Sequence, residues 1–211
     1  MSRDYILYKV RTALGRVSGQ PPPPLAPPLL RVPKRDQSAR VNEFIRNFEN
    51  LAGKAFHVPD AAAARGCVAD LLNGSTAIAS NSPFLAETGV LSLKGVSGGV
   101  TDYNELRGLC ATAAAGITSA DYALAETGTL VMLSSAKEVR TISLLPPMHI
   151  ALIPAFALIE NLDELLTLHP RPADITSAMV LITGPSRTAD IEQILVRGVH
   201  GPGEIRAVIV G

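Results

Sequence analysis

Three short segments of this 211-residue chain gather the groups that could do chemistry. The first is Gly116-Ile117-Thr118-Ser119-Ala120-Asp121-Tyr122-Ala123-Leu124-Ala125-Glu126-Thr127-Gly128-Thr129. An apolar strand ends at Thr118, a short helical turn is expected near Ser119 or Asp121, and Glu126-Thr127-Gly128 turns into another strand. A carboxylate held at a strand–turn junction beside backbone donors can serve as a base or a nucleophile. Asp121 and Glu126 are therefore the candidate catalytic residues, with Thr118, Thr127, Gly128 and Thr129 as candidate ligand contacts. In the alternative reading Asp121 caps a helix and Glu126 pairs with an arginine.

The second segment is Thr183-Gly184-Pro185-Ser186-Arg187-Thr188-Ala189-Asp190. A strand runs through a Gly-Pro turn into hydroxyls and an arginine that are expected to open a helical turn. Free amides at a helix start, with Ser186, Arg187 and Thr188, suit a phosphate or carboxylate. The lysine and spacing of a Walker loop are missing, and Ser186 or Thr188 could equally be a cap. The third, Gly198-Val199-His200-Gly201-Pro202-Gly203, is a tight turn whose His200 could shuttle a proton or face an anion. The four histidines are scattered without metal-ligand spacing, so no metal site is assigned.

Alternating strands and helices must position these loops. Residues 4–16 read as an amphipathic helix, followed by a proline-rich connector over 21–33. A helix from Ser38 buries Val41, Phe44, Ile45, Phe48 and Leu51. Asp60 caps a helix that carries Cys67, the piece 95–99 is a glycine-rich loop, and Asp102 with Glu105 forms a capping box. Strands are expected near 55–58, 76–79, 115–118, 129–133, 149–153, 178–183 and 205–210. A further helix over 155–168 would bury Leu158, Ile159, Leu162, Leu165 and Leu166. This alternation describes an α/β three-layer sandwich around a largely parallel open sheet, whose ligands sit where carboxyl ends of strands meet loops. Residues 1–36 form a helix and linker, and 37–211 the main domain. The first helix, beyond its spacer, could exchange between subunits in a homo-oligomer.

Composition narrows the function classes. Nineteen basic and nineteen acidic residues cancel, which argues against nucleic acid as a partner. No apolar run is long enough to span a membrane, and the amino terminus lacks signal-peptide character, so a cytoplasmic protein is expected. Two cysteines, Cys67 and Cys110, fall short of the four thiolates an iron–sulfur cluster needs within one chain.

In register, "GITSADYALAETGTLV", "LPPMHI", "TGPSRTADIE" and "GVHGPGE" resemble the lactate-utilization protein C family, the LUD domain, over roughly residues 40–211. The resemblance implies a fold akin to the NagB/RpiA/CoA-transferase group. It also implies a role in bacterial oxidation of L-lactate to pyruvate, beside iron–sulfur oxidoreductase subunits that hold the clusters while this chain binds no cofactor. A glutamate on a turn is the nucleophile of CoA-transferases, which adds to the case for Glu126. Ser119 stands at a position that varies in the family and gains nothing from the likeness. The alternative is a stand-alone enzyme of the isomerase, CoA-transferase or cyclo-ligase type, acting on a small carboxylate or phosphorylated metabolite.

Overall fold

The structure, a computed structural model, describes residues 2–21, 24, 35–189 and 195–211. Most of the expected proline-rich connector therefore lies outside the described residues. The amino-terminal helix α1 (Arg3–Ala13) buries none of its residues. Helix α2 (Gln37–Asn50) starts where the Asp36 carboxylate accepts from the Ala39 amide, and it buries Val41, Phe44 and Phe48. Those three recur at three- and four-residue spacing, which puts one stripe on the core.

Six strands form the main sheet, and every neighbouring pair is parallel. They are β1 (Lys54–Val58), β2 (Ala77–Ala79), β3 (Val96–Ser97), β4 (Ala115–Ser119), β7 (Met148–Pro154) and β12 (Glu204–Val210). The order is β1-β12-β7-β4-β2-β3. The short β3 occupies part of the segment expected to be loop. In the central strands the side chains alternate between two cores. Ala151, Ile153, Ile205, Ala207 and Ile209 pack with α2, whereas Ile150, Leu152 and Val208 pack with Ala64, Val68 and Leu72 of α3 (Ala61–Leu72). Both faces being covered, these strands read as continuous apolar runs rather than alternating ones. Helices α4 (Pro83–Glu87), α5 (Tyr103–Thr112) and α6 (Arg140–Leu144) complete the layers, with Asp102 capping α5 through the Glu105 amide.

A smaller sheet of order β8-β5-β6-β9 lies beside α2. It is built from β5 (Tyr122–Leu124), β6 (Thr129–Leu133), β8 (Leu158–Ile159) and β9 (Met179–Ile182). Two sequence expectations are corrected here. The residues after Ser119 form no helical turn: β5 and β6 make an antiparallel hairpin with Leu124 opposite Thr129. No single helix spans 155–168 either. A 3-10 turn (Ala155–Ala157) and β8 precede α7 (Leu162–Leu168), whose first amides are capped by the Asn161 side chain. Leu162 and Leu166 consequently face solvent instead of the core.

Candidate functional site

The tip of the β5–β6 hairpin is Ala125-Glu126-Thr127-Gly128, closed by Gly128 at φ +61°. A Cβ at residue 128 would lie 2.7 Å from the Asn47 carbonyl carbon and 2.8 Å from Phe48 Cα, so only glycine lets this turn seat on the α2 backbone. Asn47 also fixes the tip, donating through Nδ2 to the carbonyls of Ala125 (2.9 Å) and Glu126 (2.8 Å). A hydroxyl chain, Thr127 Oγ1 to Thr129 Oγ1 (2.7 Å) to Thr183 Oγ1 (2.9 Å), joins the tip to the end of β9.

Between Thr183 and Ala189 the chain does not become helical, which is a third correction. Strand β10 (Arg187–Ala189) pairs antiparallel with β11 (Leu195–Arg197), so among the described residues of this segment no helix start offers its amides to an anion. Ser186 instead sits under the 198–203 turn. Its amide donates to the Pro202 carbonyl (3.0 Å), and its Oγ accepts from the His200 amide (3.3 Å). The Arg187 guanidinium donates through Nη2 to the Leu51 carbonyl, at the end of α2. Ser143, Val180, Ser186, Arg187, His200 and Ile205 line one cleft of about 320 Å³. Thr188 lies in β10, and its side chain is outside the described residues. An arginine, the Ser186 hydroxyl and an imidazole around an apolar floor can hold a small carboxylate, whereas the Ser143 hydroxyl already donates to the Arg140 carbonyl (3.0 Å). A larger open hollow of about 490 Å³ beside α3 has only Asp70 and Cys67 as polar side chains and no cation. Size alone does not make it an anion site.

The cleft lies at the amino ends of β7 and β12, because the 198–203 turn runs directly into Glu204 and the Gly203 amide donates to the Pro147 carbonyl. The expected receptacle at the carboxyl rim is thus displaced to the opposite edge. Glu126 is near this edge through Asn47, yet it does not line the cleft. Asp121 is at the open end of the hairpin while Glu126 is at its tip, so the extended chain holds the two carboxylates apart. Thr118 is also removed from any ligand: it is fully buried, its Oγ1 lies 2.8 Å from His149 Nε2, and His149 is itself fully buried in β7. Burial drives the His149 imidazole down from 6.5 to about 4.

At the carboxyl edge the structure reveals a cluster the sequence did not advertise. The buried Glu138, from the loop after β6, accepts at Oε1 from Ser80 Oγ (2.7 Å), Ser119 Oγ (2.7 Å) and the Ser119 amide (3.0 Å). Ser119 Oγ is also 2.7 Å from Ser82 Oγ. Asp121 is half-buried and accepts at Oδ2 from the Leu133 amide (2.6 Å). Burial raises the carboxyls of both Asp121 and Glu138 above their usual range, and the Asp121 charge raises Glu138 further. The partners of Glu138 lie 19 and 58 residues away. No local spacing could have signalled the cluster. Burial also raises the thiol of Cys67, helped by Asp70, and that of Cys110, so neither is poised as a thiolate ligand.

A parallel open sheet covered on both faces, with an attached small sheet and polar loops at both edges, defines an α/β sandwich. The chain belongs to the LUD domain family, whose profile matches residues 41–210. It is similar to "Lactate utilization protein C" of Halalkalibacterium halodurans, 46% identical over 99 residues that cover 45% of this chain and 42% of that one. The protein of the same name from Exiguobacterium is 42% identical over 108 residues, covering 49% and 47%. That from Bacillus subtilis is 37% identical over 99, covering 45% and 41%. The chain thus matches less than half the length of these curated relatives. Among solved structures, a DUF162 family protein from Deinococcus radiodurans superposes with a TM-score of 0.65 at 18% identity, over 84% of this chain and 100% of that one. That likeness establishes the shared fold.

Proposed function

We propose that this chain is the cluster-free component of a bacterial L-lactate utilization system, and that its amino-edge cleft holds a small carboxylate such as lactate or pyruvate. The observation that carries the reading is the match to relatives named for lactate utilization, at 35–46% identity, within a family profile covering residues 41–210. The cleft supports it chemically. Arg187 supplies the cation, and the Ser186 hydroxyl, which accepts from the His200 amide and donates to no acceptor among the described residues, keeps its proton for a ligand. With two cysteines, electrons leaving lactate would pass to clusters in partner subunits.

The test is purification of the tagged full chain from its own host grown on L-lactate. The expected result is co-purification of an iron–sulfur protein with visible absorbance, and loss of lactate-dependent growth on deletion of the gene. Isolation of the chain alone, with growth on lactate undiminished by deletion, would overturn the reading.

A further inference from the structure

Among the described residues sixteen large apolar side chains are exposed, and eleven of them fall in just two segments, 5–17 and 156–175. Single exposed apolar residues need no explanation, but such accumulations mark interaction surfaces. The first segment is α1. Ile6, Val10 and Leu14 recur at four-residue spacing, so they form one stripe, and they are 49%, 49% and 65% exposed. Lys9 and Arg11 stand on either side of Val10 in the sequence and so on the two flanks of the stripe. With Arg3 and Arg16 against Asp4, residues 3–16 carry three net positive charges. An isolated helix of this length is marginal in water, so α1 needs a surface to lie on.

The second segment supplies the opposite charge. Helix α7 exposes Leu162 (43%) and Leu166 (44%), one turn apart on one face, and Phe156 in the preceding 3-10 turn is 82% exposed. Asp163, Glu164 and Asp174 outnumber Arg171 here, and among the described residues none of these acids is in an ion pair. The chain also enters the main domain beside this segment: the Arg35 amide donates to Glu160 Oε1 (3.0 Å), and Gln37 Nε2 donates to the Ala155 carbonyl. Residues 15–34, which join α1 to that point, include seven prolines. A proline-rich sequence acts as a semi-rigid spacer of about 3.1 Å per residue, roughly 60 Å for twenty residues. Such a spacer is poorly suited to folding α1 back on the α7 beside its own anchor, and well suited to carrying it to a second molecule.

We infer that α1 docks on the α7 face of a second copy of this chain, which returns its own α1 to the first and closes a two-fold dimer. The Ile6-Val10-Leu14 stripe covers Leu162, Leu166 and Phe156, and the basic flanks meet Asp163 and Glu164. The reciprocal exchange covers both apolar accumulations at once. It also explains why a chain with no net charge separates a basic helix from an acidic face.

The experiment is sedimentation equilibrium of the full chain across the micromolar range. The expected result is a reversible dimer of twice the 22.2 kDa chain mass. Val10→Asp, in a helix that buries none of its residues, and Leu166→Asp should each raise the dimer dissociation constant roughly tenfold or more, by placing a charge in an apolar contact. Asp163→Lys should act in the same direction and serves if Leu166→Asp does not fold. Mixing the Val10→Asp and Leu166→Asp chains should regenerate dimer, because one of the two exchanged contacts is intact in the mixed pair. A wild type that stays monomeric throughout would overturn the inference, whether α1 then lies on its own chain or binds vesicles of phosphatidylglycerol. A dimer undiminished by a folded α7 variant, as pairing of α1 with α1 would give, would do the same, and so would failure of the mixed chains to associate.

Discussion

Replacing His149 with glutamine should change the pH dependence of stability in a way set by burial alone. His149 is fully buried in the central strand β7, with Nε2 against Thr118 Oγ1 at 2.8 Å and Nδ1 without a partner. Thr118 Oγ1 in turn lies 3.9 Å from Met132 Sδ. In the neutral tautomer protonated at Nε2 the ring fits this arrangement, donating to Thr118 while the threonine proton points to the sulfur. Protonating Nδ1 would place a charge and a donor where nothing accepts them, so the imidazole is lowered from 6.5 to about 4. The unfolded chain therefore binds a proton between those two values that the folded chain refuses, and stability falls as pH falls through that window. The stability associated with a neutral His149 is fully present above pH ~6.5 and is exhausted near pH ~4, a loss of about 3 kcal/mol at ~1.4 kcal/mol per pH unit. Asp121 and Glu138 are raised by burial and contribute the opposite slope, so the comparison must be between wild type and variant. Urea unfolding at matched pH should show the wild type losing about 2 kcal/mol more than His149→Gln between pH ~7 and ~4.5. Parallel curves, diverging by less than about 0.5 kcal/mol, would mean that the ring titrates normally in the fold and that the burial argument fails.

Two further substitutions test how the loops are held. Gly128→Ala must adopt a left-handed φ and push its methyl into the α2 backbone at Asn47 and Phe48, so it should cost about 2–5 kcal/mol, read as a lower urea midpoint with unchanged slope. Glu160 is 3% exposed; burial pushes its carboxyl up, but hydrogen bonds from Arg35 and the charges of Arg35 and Arg40 outweigh this and hold it below the usual range. Glu160→Ala strands Arg40, whose side chain is 14% exposed, and should cost about 3–5 kcal/mol by the same assay.

Much of the scaffold was legible because its signals are local. The α2 stripe, the Asp60 and Asp102 caps and the apolar runs of β4, β7 and β12 each declare themselves within a few residues. The 155–168 segment misled because its leucines satisfy a helical period. The deciding features are the pairing of Leu158 and Ile159 with β5, which is tertiary, and the Asn161 cap three residues before Glu164, which the sequence does contain. Asp121 read as a candidate base or nucleophile, or alternatively as a helix cap. It instead fastens the β5–β6 hairpin at Leu133, a partner 12 residues away. The Ser186-Arg187 segment was readable as polar and cationic, but its hairpin geometry depends on pairing with β11. The Glu138 cluster was invisible for the same reason: its parts come from three loops and meet only when β2 and β4 lie side by side.

The most direct test of the account is a crystal of the full chain soaked in pyruvate or L-lactate, examined beside an Arg187→Ala crystal treated identically. The carboxylate is predicted against the Arg187 guanidinium, between Ser186 and His200, and absent from the variant. Ligand density at the Asp121–Glu138 edge instead, or density in the cleft that survives Arg187→Ala, would contradict it.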